Sequence, residues 1–69
     1  MDQIQLMTIE EAASFLNLKV SKLRKDIFNK SIPHYKIGAL IRFKKEELIK
    51  WVEGKLVSVQ LNIEIKKYN

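Results

Sequence analysis

VSKLRKDIFNK, residues 20–30, is the stretch whose reading decides the fold. Wound as an α-helix, it puts Val20, Leu23 and Ile27 on one face at the i, i+3, i+7 spacing, and Ser21, Lys22, Lys25 and Asn29 on the opposite face. From Lys19 to Lys30 there are five basic residues, Lys19, Lys22, Arg24, Lys25 and Lys30, against the single acid Asp26. An apolar back with a front of short polar and basic groups suits a DNA major groove, which is wide enough to admit one helix. Taken alone, the same front is what an ordinary solvated surface helix carries. The flanking sequence separates the two.

Upstream, Thr8-Ile9-Glu10-Glu11 has the form of a capping box, in which the Thr8 hydroxyl accepts from the Glu11 backbone N–H and the Glu11 carboxylate reaches back. The early acids also suit the positive end of the helix dipole. Ile9, Ala12, Ala13 and Leu16 form the stripe expected to be buried, with Phe15 at its edge, and the two small alanines let a second helix approach closely. Asn17-Leu18-Lys19 then separates this helix from the next. Asn tolerates the left-handed backbone that a tight turn demands, and Leu18 is placed to plug the gap between the helices. Two short helices so joined, the second one basic, describe a helix-turn-helix. The second helix has no Ser, Thr or Asp cap at Lys19; Ser21 would serve if the helix starts later.

Downstream, Ser31-Ile32-Pro33-His34 ends the helix, since the residue before a proline is pushed out of the α region. Tyr35-Lys36-Ile37 and Ile41-Arg42-Phe43 alternate around Gly38-Ala39-Leu40 and predict a hairpin. A three-residue loop sets Ile37 opposite Ile41 and Tyr35 opposite Phe43 on one face, and Lys36 opposite Arg42 on the other. Like charges directly across a strand pair are unfavourable, which makes sense if a phosphate lies between them. Lys44-Lys45-Glu46-Glu47 opens a third helix with Leu48, Trp51 and Val52 as its apolar side and Gly54 as its stop. In the tail, Val57, Val59, Leu61, Ile63 and Ile65 alternate with Ser58, Gln60, Asn62 and Glu64, the period of a β-strand. A lone strand is unstable, so residues 56–65 are expected to pair with the hairpin or with another copy of the chain.

At 69 residues the sequence amounts to one small core with no room for a deep catalytic cleft. The net charge of +5 is unevenly placed: residues 1–18 carry −3, 19–30 carry +4, 31–45 carry +4 and 46–69 balance. A basic middle with a neutral or acidic periphery is a one-sided electrostatic footprint for a polyanion. There is no cysteine, hence no disulfide or thiolate metal site. No long apolar run or signal-like segment appears, which points to a cytoplasmic, nucleoid-associated protein without a membrane partner. The expected organisation is a DNA-binding domain over 1–54 and a tail over 55–69.

In its order of elements the chain resembles the excisionase-type DNA-binding domains, small relatives of the MerR-like winged helix-turn-helix. The residues that carry the likeness are Met7-Thr8-Ile9-Glu10-Glu11-Ala12-Ala13, Leu16, Leu18, the second helix, Ile32-Pro33, Tyr35-Lys36-Ile37-Gly38, Arg42-Phe43, Lys45-Glu46-Glu47-Leu48 and Trp51. Three places depart from the pattern: Lys19 stands for a usual Ser or Thr cap, Arg24 for a frequent aromatic, and Ala39-Leu40 for a basic wing tip. The resemblance implies a mainly α winged helix-turn-helix with a small hairpin, to which this sequence adds a C-terminal strand. It implies that the helix over 20–30 enters the major groove and that the hairpin over 35–43 is a wing along the backbone. On that reading Ser21, Lys22, Lys25 and Asn29 face base edges and phosphates, while Arg24, Lys36, Arg42, Lys44 and Lys45 hold the backbone.

The role this implies is an architectural directionality factor of a mobile element, binding double-stranded DNA beside an integrase, as adjacent copies. A small transcriptional regulator with the same DNA contacts, or an interaction module working through the tail strand, are the alternatives. Enzymatic activity is not expected: the single histidine, His34, reads as a turn residue, and no metal-ligand spacing, glycine-rich phosphate loop or cofactor motif occurs.

Overall fold

The computed structural model describes residues 5–59. Its elements run β1 (Leu6–Met7), α1 (Ile9–Leu16), α2 (Val20–Phe28), β2 (Tyr35–Ile37), β3 (Leu40–Lys44) and α3 (Lys45–Glu53). The strands make an antiparallel sheet in the order β1-β3-β2. Helices α1 and α2 with the hairpin behind them form a winged helix-turn-helix, as the sequence predicts.

The capping box at α1 is complete: the Glu11 N–H donates to Thr8 Oγ1 at 3.1 Å and the Thr8 N–H donates to Glu11 Oε1 at 2.9 Å. The same helix stops at Asn17, whose φ of 58° and ψ of 45° are left-handed. There the Leu18 N–H reaches back to the Ala13 carbonyl at 2.9 Å, so the chain reverses within one turn. Helix α2 starts at Val20 with Lys19 as N-cap and no side-chain cap bond, so Ser21 is not recruited as the cap. It ends at Phe28, short of the expected Lys30, because Lys30 turns left-handed at φ 55°. The Lys30 and Ser31 N–H groups then donate to the Ile27 and Asp26 carbonyls at 3.0 and 2.8 Å, closing the helix end.

The core is Ala12, Ala13, Leu23, Ile32, Phe43 and Leu48, with Met7, Ile9, Leu16, Val20, Ile27, Ile41 and Trp51 packed against it. Phe43, Leu23 and Leu48 are fully buried, each contributing about 1.5–3 kcal/mol of hydrophobic stabilisation. They come from β3, α2 and α3, so one buried cluster fixes the wing relative to both neighbouring helices.

Several expectations are corrected. The hairpin loop is two residues, Gly38-Ala39, and the register pairs Tyr35 with Arg42, Lys36 with Ile41 and Ile37 with Leu40. Gly38 at φ +65° occupies the first central position, where a two-residue turn of the II′ kind needs glycine and its twist matches the strands. This splits Tyr35 and Phe43 onto opposite faces, which costs little because β2 is an edge strand exposed throughout. Lys36 and Arg42 therefore do not face each other, and no phosphate is needed between them. The third strand comes from Leu6–Met7 in the lead-in, pairing Leu6 with Lys44 and Met7 with Phe43. Leu18 is exposed rather than a plug, and Val52 points outward. Gly54 stops α3 as expected, though in a right-handed conformation that does not use the freedom of glycine. Residues 57–59 are not in a strand; the rest of the expected C-terminal strand, 60–65, lies outside the described residues.

Candidate nucleic-acid interface

Helix α2 buries Leu23 and Asp26 and half-buries Val20 and Ile27, which leaves the opposite side to solvent. On that side Ser21, Lys25 and Phe28 follow one another at i, i+4, i+7, all exposed. Arg24 is exposed beside them, and Asn29 is the C-cap, just past the helix. Lys22 stands apart from this row. Its Nζ donates to Asp26 Oδ1 at 3.1 Å, an i, i+4 pair on the flank of the helix.

A groove of about 600 Å³ lies between α2 and the wing, and both arginines line it. Thr8, Ile9 and Glu10 form one wall, Arg24, Ile27 and Phe28 the second, and residues 39–42 of the wing the third. Arg42 Nη1 donates to the neighbouring Ile41 carbonyl at 2.8 Å, which holds the guanidinium near the strand and leaves its other N–H groups for an acceptor. Two guanidiniums against the one carboxylate of Glu10 leave the groove net positive. Lys36 is exposed on the outer strand, and Lys44 ends β3 opposite Leu6. Lys45 belongs elsewhere: its ammonium lies 5.3 Å over the ring of Phe15, which lines a different hollow with Leu16, Ile49 and Val52.

The structure therefore brings Ser21, Arg24, Lys25 and Arg42 onto or beside one groove, sets Lys36 and Lys44 along the wing, and separates Lys22 and Lys45 from it. Two features escaped the sequence reading. Asp26 is 6% exposed, and it is held by Lys22 and by Ser31 Oγ at 3.3 Å. Trp51 Nε1 in turn donates to the Ser31 carbonyl at 2.8 Å, so one serine ties the end of α2 to α3. An acid among basic neighbours reads as a surface residue, and only helical phase could have pointed inward. The second feature is an apolar surface centred on Val52, which lines adjoining hollows with Phe15 and Ile49, with Leu18 and Trp51, and with Leu56 and Val57.

Chemically the groove can bind a polyanion edge-on and present apolar and polar groups to what lies behind the phosphates. His34 Nδ1 is within 2.7 Å of the Ile32 carbonyl, a local turn contact. Among the described residues no group of three or more His, Cys, Asp or Glu could hold a metal ion, and no helix is long and apolar enough to cross a membrane.

Residues 6–56 match the model of a family described as a helix-turn-helix domain, a span that takes in every element from β1 to α3. No curated protein and no solved structure gives a significant match. A helix-turn-helix domain suggests DNA as a partner.

Proposed function

We propose that this chain, which belongs to the helix-turn-helix domain family, is a non-catalytic, architectural DNA-binding protein that acts as an excisionase-like directionality factor. Helix α2 enters the major groove with Ser21, Lys25 and Asn29 toward the bases, and the wing follows the adjacent strand. The observation that carries this reading is the convergence of Arg24 and Arg42, from two different elements, on one net-positive groove beside the exposed row of α2. Phosphate contacts fix register, and base contacts specify. An architectural role also needs contacts beyond DNA. The exposed apolar surface around Val52, which continues through Leu56 and Val57, supports contact with a neighbouring copy or a recombinase.

Anisotropy titration of a labelled duplex at several salt concentrations tests the DNA reading. Contacts from Arg24, Lys25, Lys36, Arg42 and Lys44 predict a log–log slope of about −4 to −5; absence of binding at low salt overturns it. A duplex carrying a selected site and labelled at both ends then tests the role. A shortened end-to-end distance on binding supports the architectural function, whereas a tightly bound but straight duplex favours a transcriptional regulator.

A further inference from the structure

Phe28 is 85% exposed, the most exposed of the large apolar side chains among the described residues. It is also the last residue of α2 and lies in the same row as Ser21 and Lys25, on the side of the helix away from the core. A phenylalanine this exposed buries little of its ring within the domain, so a partner that covers it gains hydrophobic stabilisation. The groove that Phe28 lines is formed by Arg24 and Arg42 and also by Ile27, Leu40 and Ile41, so it combines positive charge with apolar surface. Leu40, at the wing side of the same groove, is 53% exposed. The occupant must therefore offer negative charge and an apolar group within one helix width.

Double-stranded DNA offers that combination on the base edges of its major groove. In the major groove the thymine C5-methyl is the single apolar group on a base edge, flanked on both sides by phosphates. We propose that Phe28 is a specificity-determining residue that reads a thymine methyl, with Leu40 closing the groove from the wing and Arg24 and Arg42 holding the flanking phosphates. The inference rests on the DNA-binding reading and adds to it a base preference, thymine over cytosine or uracil at one position, that none of the charged residues supplies.

The test uses the full chain and two duplexes of about 20 base pairs, one of alternating dA and dT and one in which every thymine is replaced by deoxyuridine. In the first duplex every binding register offers a methyl; the second removes all of them and keeps the Watson–Crick pairing. The wild-type chain should bind the thymine duplex about fourfold more tightly, the worth of burying one methyl group. Phe28→Ala should bind both duplexes equally, with the salt slope unchanged, and Phe28→Leu should restore part of the preference. Because Phe28 touches solvent over most of its surface, the alanine variant should melt with the wild type. Equal wild-type affinity for the two duplexes, or a preference that survives in Phe28→Ala, overturns the assignment while the DNA reading stands. Failure of the wild type to bind either duplex at low salt overturns both.

Discussion

Lys22→Ala separates a structural lysine from a DNA-contacting one. Asp26 is 6% exposed, its Oδ2 has no hydrogen-bond partner among the described residues, and its Oδ1 takes Lys22 Nζ at 3.1 Å and Ser31 Oγ at 3.3 Å. Removing the ammonium leaves a nearly buried carboxylate with one neutral donor. An unsatisfied buried polar group costs about 1–3 kcal/mol. The Lys22 side chain is 52% exposed, however, and solvent screening of that end puts the expectation near the lower bound, about 1 kcal/mol. In a domain of this size that lowers Tm by about 4–8 °C. The same substitution in an Asp26→Asn background should cost much less, giving a coupling of about 1 kcal/mol in the double-mutant cycle. The assay is thermal denaturation by circular dichroism at low salt, paired with the DNA titration. Lys25→Ala is the contrast: it should leave stability within about 0.5 kcal/mol of wild type and make the salt slope about one unit shallower. If Lys22→Ala melts with the wild type and loses as much DNA affinity as Lys25→Ala, the ion pair contributes nothing and the argument fails.

Thr8→Ala removes one half of the capping box and leaves the Glu11 N–H without its acceptor; a loss of about 1 kcal/mol is expected, and an unchanged urea midpoint would show that α1 is held by packing alone. Lys30→Gly should move the other way. Lys30 is a non-glycine residue at φ 55°, a conformation glycine adopts without strain, so the variant should gain about 0.5–1 kcal/mol. A lower urea midpoint would mean that the Lys30 side chain contributes more than its backbone costs.

The local signals in the sequence were legible where one residue's chemistry sets its own backbone. Thr8 with Glu11, the left-handed turn at Asn17 and the missing cap at Lys19 are all interactions within a few positions, so they survive without knowledge of the rest of the chain. The apolar spacing of Val20, Leu23 and Ile27 likewise identified the buried face of α2, and with it the basic side on which Ser21 and Lys25 lie. The wing register was not legible in this way. Alternation treats every apolar residue of a strand as belonging to one buried face, but Tyr35, Ile37 and Leu40 are exposed on an edge, and only the sheet order shows that Ile41 and Phe43 face the core.

By itself, then, the amino-acid sequence determined that two short helices, a hairpin and a third helix follow in order, and that the second helix carries a basic face. Those are consequences of periodicity, capping and charge, which act along the chain. The tertiary structure alone decided which basic groups work together. Arg24 and Arg42, far apart in sequence, share one groove; Lys22 is held by Asp26 instead; Lys45 is drawn to Phe15. It also placed Phe28 in that groove and recruited Leu6–Met7 as a strand. Each of these depends on which surfaces meet when Phe43, Leu23 and Leu48 are buried together, and no local rule encodes that meeting.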